Sequence, residues 1–188
     1  VEEKHGLYYL HLVKEKVPDL RTQKGKEIRE ALEKELPNIR AAWDWTLREK
    51  RVEEIRHYIQ ALSAFLDLYN NYEGADMFKQ AVAAFDESNP EHHAALGYSL
   101  IYRAWFEHRL DYKANSIIEL TQRGLALLQP LKEYPGILRG RMNLGAVATD
   151  QGDFAKAKEI FTVALNLARA YGQPSDIARV LIKLVMNE

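Results

Sequence analysis

Cysteine is absent from this sequence of 188 residues. Its absence excludes disulfide frameworks, zinc–thiolate sites and thiol nucleophiles. Long apolar runs are missing as well, since no uninterrupted stretch approaches the roughly 18 residues that suggest a membrane span. No signal-peptide-like apolar region follows residue 1. We therefore expect a cytoplasmic protein that does not enter a membrane.

An excess of charge of either sign is also lacking. The chain carries 26 Lys and Arg residues against 27 Asp and Glu residues, which gives a formal net charge of −1. Broad electrostatic capture of nucleic acid or anionic lipid has no support in this composition, although a local basic patch remains compatible with it. We expect no direct binding of nucleic acid.

Strand signals are weak, because no alternating β-branched run is flanked by hairpin turn residues. Helical spacing of apolar residues instead recurs along almost the whole chain. The prolines, at positions 18, 37, 90, 130, 135 and 174, fall at or near the expected helix boundaries, where a missing N–H costs little. The sequence therefore predicts an all-α fold, and its hydrophobic content of 47% is ordinary for a globular protein.

Nine helices joined by short connections are predicted. They cover about 2–16, 24–46 with a kink or restart at Pro37, 52–70, a fourth marked by Gly74 to Phe85, 90–110 and 113–129, followed by helices that start after Pro135, at Phe154 and after Pro174. We expect residues 1–50 to form an N-terminal helical entrance segment. Residues 51–188 are expected to form stacked antiparallel hairpins, at about 52–88, 90–130, 135–172 and a partial one at 174–188. The expected architecture is a right-handed solenoid.

The most informative stretch is Asn143–Arg169, which predicts two amphipathic helices joined by a tight turn at Gly152 and Asp153. Two helices cross closely only where side chains are nearly absent, and Gly145 and Ala157 provide such positions. The order Leu-Gly, Gly-Asp-Phe, Ala, Phe and Ala-Leu resembles a tetratricopeptide repeat. Equivalent small or apolar positions recur at spacings of 43 and 40 residues, which are longer than the usual period of about 34.

Two further segments resemble a particular family. They are His5–Leu10 and Glu35–Leu47, and the second reads Glu-Leu-Pro-Asn-Ile-Arg-Ala-Ala-Trp-Asp-Trp-Thr-Leu. Together with Asn143–Arg169, they resemble the tetratricopeptide-repeat helical arm of STAND-class bacterial signalling ATPases, including maltose-activator-like transcriptional regulators. This resemblance implies a non-catalytic sensor or interaction arm that binds an inducer, a peptide or a partner protein. It also implies contact with the nucleotide-switch domain of a parent chain.

The nucleotide switch itself has no counterpart in the sequence. A phosphate-binding Gly-x-x-x-x-Gly-Lys-Ser/Thr loop is missing, and Gly136–Arg141 has the wrong spacing and no Lys-Ser/Thr pair. ATP hydrolysis by such a parent would therefore take place outside this chain. Both ends stop within helical patterns, from which we expect a segment of a longer protein. An independent tetratricopeptide scaffold that binds peptide or protein partners is the alternative.

The candidate binding residues follow from the repeat register, since the first helix of each tetratricopeptide hairpin faces the concave groove. They are Arg56, Ser63, Tyr98, Trp105, His108, Arg109, Arg139, Met142 and Asn143. Arginines beside aromatic rings hold acidic or carboxylate-ended ligands through charge-assisted hydrogen bonds and stacking. The alternative interpretation is that these are ordinary packing and surface residues.

Catalytic chemistry is not indicated. Glu53 with His57, and His108 with Asp111, share helix faces, which favours weak side-chain pairing over metal ligation. Ser99 lacks the second glycine of a nucleophile elbow and is predicted inside a helix. We expect no catalytic residue, no metal and no cofactor. A small helical enzyme with a site assembled from distant residues remains a third class.

The final predicted helix has an apolar face that is expected either to cap the last hairpin or to form an interface. Hairpins in a solenoid contact chiefly their neighbours, so a missing neighbour exposes an apolar face. We expect Ile177, Val180, Leu181 and Leu184 to cap the last hairpin or to be buried in a dimer contact.

Overall fold

The computed structural model describes residues 2–187, apart from the side chain of Arg21, and these residues form helices without a β-strand. The α-helices are α1 (Glu2–Lys16), α2 (Gly25–Lys34), α3 (Leu36–Arg48), α4 (Val52–Tyr69), α5 (Asn71–Ala84), α6 (His93–Arg109), α7 (Ala114–Leu128), α8 (Tyr134–Asp150), α9 (Phe154–Tyr171) and α10 (Pro174–Val185). Short 3-10 helices cover Val17–Arg21 and Pro90–His92. The prediction of an all-α fold is confirmed for this part of the chain.

Proline placement raises the number of α-helices from the predicted nine to ten within residues 2–187. The predicted 24–46 helix is two helices, because α2 ends before Glu35 and Pro37 lies in the first turn of α3. A proline in a first turn loses no hydrogen bond, whereas inside a helix it would clash with the carbonyl four residues earlier. The helix predicted from Pro90 also changes, since residues 90–92 are 3-10 and α6 begins at His93.

The chain forms two compact units, residues 1–99 (unit 1) and residues 100–188 (unit 2). The division falls within α6, so that residues 100–109 of this helix belong to unit 2. The boundary predicted at residue 50 lies between α3 and α4. The division into an entrance segment before this boundary and repeats after it stays a prediction.

In unit 1, α1 packs against α3 at a glycine. Gly6 faces the Trp45 ring, and a Cβ at Gly6 would lie 2.5 Å from Cε3 of Trp45. A larger side chain would therefore push α1 away from α3. The Trp43 ring meets the Phe78 ring edge-on with centroids 5.7 Å apart, and both side chains are buried. Residues of the two segments that carried the family resemblance thus lie in the core of unit 1.

In unit 2, α8 and α9 form a hairpin around the same kind of contact. Gly145 of α8 faces Phe161 of α9, and a Cβ at Gly145 would lie 2.5 Å from Cε1 of Phe161. The connection places Gly152 at φ +76°, a conformation that glycine adopts without a Cβ penalty. The Asp153 carboxylate then caps α9 by accepting a backbone N–H at 3.1 Å. The predicted pair of helices and its turn are confirmed.

One face of α10 covers the α8–α9 hairpin. Val180 is fully buried, and Ile177 and Leu184 pack against the hydrophobic cluster around Phe161. These three residues cap the last hairpin, as expected. Leu181 corrects the prediction, because its side chain lies off this packed face and is 41% exposed.

Substitution of Gly145 by alanine tests the hairpin contact. In an open helix, glycine to alanine stabilises by about 1 kcal/mol. Here the added methyl group would overlap the Phe161 ring. We expect Gly145→Ala to lower the free energy of unfolding by about 1–3 kcal/mol, measured by urea denaturation.

The control for this substitution removes part of the opposing ring. Phe161→Leu makes room for the new methyl group, so the double variant is expected to lose less than the sum of the two single losses. Additive losses, or a stabilised Gly145→Ala variant, would contradict the contact.

Candidate binding surface

Four of the nine predicted binding residues are buried, which corrects their assignment to a ligand-facing surface. They are Ser63, Tyr98, Met142 and Asn143, with exposed fractions of 0%, 2%, 6% and 1%. Each lies on the side of its helix that packs against neighbouring residues. A repeat register indicates which helix faces the groove, but the tilt of that helix decides which neighbouring positions stay open.

Arg56 is exposed on α4 of unit 1. Its guanidinium donates to the two Glu53 carboxylate oxygens at 2.8 and 2.9 Å. This is a pair three residues apart on one helix. The charge of Arg56 is therefore balanced locally.

The remaining candidates belong to unit 2, where the last part of α6 lies beside α8. The buried Asn143 side chain donates from Nδ2 to the Ile101 carbonyl oxygen at 2.9 Å. Gly140 faces the same residue, and a Cβ there would lie 2.8 Å from Cδ1 of Ile101. A buried hydrogen bond and an absent side chain thus fix how closely α8 approaches α6.

Trp105 is the centre of the surface that these two helices form. The guanidinium carbon of Arg139 lies 4.8 Å from the Trp105 ring centroid, and that of Arg109 lies 5.8 Å from it. Trp105 and Arg139 are half-buried, whereas Arg109 is exposed. We call these three residues the Trp105 surface. The structure therefore brings three of the predicted binding residues together.

Tyr102 was not among the predicted residues, yet it contacts Arg139. Its ring centroid lies 5.5 Å from the Arg139 guanidinium carbon, and its hydroxyl forms a hydrogen bond with that side chain. Burial raises the pKa of the Tyr102 hydroxyl, and the Arg139 charge opposes the rise. The hydroxyl is thus neutral at neutral pH and accepts from Arg139. The sequence feature that could have identified Tyr102 is its position three residues before Trp105, on the same helix face.

His108 borders the Trp105 surface, with ring centroids of His108 and Trp105 6.1 Å apart. Its Nε2 lies 2.6 Å from Oδ2 of Asp150, not beside Asp111 as the helix face suggested. Asp150 was not predicted either. It follows His108 by 42 residues, the same separation that joins Ile101 to Asn143. That shared spacing is the signal that would have found it.

Other chemical candidates have structural partners. His57 Nε2 lies 2.6 Å from Lys14 Nζ. The buried Ser99 hydroxyl donates to the Ala95 carbonyl oxygen at 2.7 Å, within its own helix. Among residues 2–187, no group of three or more His, Asp or Glu side chains is arranged to hold a metal ion. No helix in this range is both long enough and apolar enough to cross a membrane.

A groove with a volume of about 420 Å³ lies between α1 and α2 of unit 1. Its walls include Tyr8 and Leu12, the carboxylates of Glu27 and Glu30, and the ammonium group of Lys16. Both signs of charge are present at its walls. The groove therefore does not select a ligand of one charge.

Comparisons with known proteins give a likeness of fold. No family model matches the chain, and no curated protein matches it. Among solved structures, BtubC (BKLC) from P. vanneervenii is similar with a TM-score of 0.57 and 14% sequence identity. The likeness covers 97% of this chain and 82% of that chain. At this identity it shows that the two share a fold, and nothing about activity.

The raised pKa of Tyr102 predicts a pH dependence of stability. A raised pKa in the folded state means that the contribution to stability is fully present below the ordinary tyrosine pKa of about 10. That contribution is lost as the pH rises beyond it. We expect the stability advantage of wild type over Tyr102→Phe to shrink between pH 9 and pH 11, measured by urea titrations at each pH.

An exposed tyrosine of unit 2 serves as the control. Tyr112 is 53% exposed, and we expect the difference between wild type and Tyr112→Phe to stay nearly constant over the same range. If the stability difference between wild type and Tyr102→Phe is equally independent of pH, the Tyr102 hydroxyl is not buried in the folded protein.

Proposed function

We propose that this chain is a non-catalytic sensor or interaction arm of a larger signalling ATPase or transcriptional regulator. Its helices would stack as a right-handed solenoid of tetratricopeptide-like hairpins. A peptide, a partner protein or a small inducer would bind to the concave face. The observation that carries the proposal is the Trp105 surface, where a half-exposed indole lies beside two guanidinium groups.

The contacts of unit 2 support stacking of successive hairpins. Ile101 bonds to Asn143, and His108 bonds to Asp150, in both cases across 42 residues. Equal separations are expected when the first helices of two consecutive hairpins lie side by side with matching positions in contact. In such an array the side chains of these first helices form the concave surface, which is where Trp105, Arg109 and Arg139 would lie.

The packing of unit 1 supports the link to a signalling regulator. In His5–Leu10, Gly6 lets α1 approach Trp45, and Leu10 is buried. In Glu35–Leu47, the arginine of the motif, Arg40, forms an ion pair with Glu73. The residues of the resemblance thus join α1, α3 and α5. Under the proposal, this compact entrance segment connects the arm to the nucleotide-switch domain.

An independent peptide-binding scaffold is the second candidate, because the same surface would serve it equally well. The gene distinguishes the two. A phosphate-binding loop and a winged-helix segment upstream of Val1 in the same reading frame would favour the signalling arm. A start codon immediately before Val1 would favour the independent scaffold.

A display selection tests the binding function. Random peptides are selected on the immobilised full chain, and their retention is then measured on Trp105→Ala. We expect at least about tenfold weaker retention, since truncation of a central aromatic residue costs 2 kcal/mol or more at interfaces. Tyr112→Ala removes another exposed aromatic side chain of unit 2 and should retain the peptides. Selected peptides that never depend on Trp105 would contradict the proposed site.

A phosphate-release assay tests the absence of catalysis. The sequence has no phosphate-binding loop, so the purified chain with Mg·ATP is expected to release no phosphate above the buffer rate. Phosphate release that follows the chain through size-exclusion chromatography and scales with its concentration would overturn the non-catalytic proposal.

A further inference from the structure

We infer that the Trp105 surface binds an acidic side chain of an extended peptide. The carboxylate would pair with Arg139, and the aliphatic part of the peptide would lie on the Trp105 indole. This inference rests on the proposed binding function and adds the chemistry of the ligand to it. It starts from the unusual situation of Arg139.

Arg139 is a half-buried cation whose contacts are aromatic. Its guanidinium lies beside the rings of Trp105 and Tyr102 and forms a hydrogen bond with the Tyr102 hydroxyl. Among the residues that the structure describes, no carboxylate forms an ion pair with it. A guanidinium has five N–H donors, so one bond to a hydroxyl leaves most of its capacity for a ligand.

Two acids lie close to residues of this region, Asp150 beside His108 and Asp176 near enough to Tyr102 to act on its pKa, and both have other partners. Asp150 pairs with His108 at 2.6 Å. Asp176 pairs with Arg179 at 3.6 Å and accepts the Gln173 backbone N–H at 3.0 Å, which caps α10. A carboxylate for Arg139 would then come from outside the described chain.

The aromatic contacts prepare Arg139 for such a partner. Contact with two rings restrains the planar guanidinium, so less side-chain freedom is lost when a carboxylate binds. Partial burial also weakens screening by water and strengthens a charge-assisted bond.

An open surface favours a peptide over a small metabolite. Small-molecule sites are concave and bury most of the ligand, whereas here Trp105 is half-exposed and Arg109 is exposed. From Trp105 to Arg109 the α6 axis advances by about 6 Å. That length matches about two residues of extended chain. We therefore expect a short acidic segment with an apolar residue between two carboxylates.

Tryptophan fluorescence makes the test specific to this surface. The sequence has three tryptophans, and the other two, Trp43 and Trp45, are 1% and 4% exposed. Iodide therefore quenches chiefly Trp105. The probes are acetyl-Gly-Glu-Leu-Glu-Gly-amide, its matched Gln-Leu-Gln peptide, and free glutarate. Each is titrated into the full chain at constant ionic strength, and protection of Trp105 from iodide is measured.

We expect the Glu peptide to bind at least about tenfold more tightly than the Gln peptide, as is typical of charge-assisted bonds. Glutarate should protect Trp105 weakly. Arg139→Gln should abolish the preference for Glu, and Arg139→Lys should retain a reduced one, because it keeps the charge without the planar fork. Arg169→Gln, an exposed arginine of α9, removes the same charge from the same unit and should retain the full preference.

Three results would overturn the inference. Equal binding of the Glu and Gln peptides would show that the surface does not recognise a carboxylate. The proposed peptide-binding function would still stand. Protection by glutarate as strong as by the Glu peptide would make the occupant a small acid. A Glu preference that survives in Arg139→Gln, with a helical circular dichroism spectrum unchanged, would place the carboxylate elsewhere. Failure of the display selection, by contrast, would count against the proposed function itself.

Discussion

The close approach of helices at glycines is the constraint on which the rest of this structure depends. Gly6 lies against Trp45, Gly140 against Ile101, and Gly145 against Phe161. At each contact a Cβ would come within 2.8 Å of a side-chain atom of the facing helix. Packed interiors respond to added volume by shifting side chains or backbone. The positions of α1, α8 and α9 within their units therefore follow from the absence of a side chain.

The Trp105 surface is a consequence of one of these contacts. Because Gly140 lets α8 approach α6, the buried Asn143 amide reaches the Ile101 carbonyl. The same approach brings Arg139 within 4.8 Å of the Trp105 ring. The core of unit 2 thus determines the geometry of its surface. A change that moved α8 would alter the Trp105 surface without replacing any of its side chains.

The sequence predicted the helical elements well because their signals are local. Apolar spacing and prolines define most helix ends, and the pair Gly152 and Asp153 defines the turn of the α8–α9 hairpin. The sequence did not decide whether Pro37 kinks one long helix or separates two helices, since proline occurs both at kinks and in the first turn of a new helix. Handedness and stacking of the hairpins depend on contacts between elements, which local patterns do not contain.

The grouping of side chains at the Trp105 surface was predicted in part, for a related reason. Trp105, Arg109 and Arg139 come together as the repeat register indicated, while Tyr98 and Asn143 are buried. Helix rotation by one position separates a buried residue from an exposed one, and tertiary packing decides that rotation. Asp150 was missed because it ends α8, where composition alone marks it as one more exposed acid.

The pairing of α6 with α8 is the central claim, and nuclear magnetic resonance of the labelled chain tests it most directly. The measurement is the set of NOE cross-peaks and the exchange rate of the Asn143 side-chain amide protons. The account predicts slow exchange and cross-peaks to Ile101, across the 42 residues that separate them. Rapid exchange, with cross-peaks confined to α8, would contradict it.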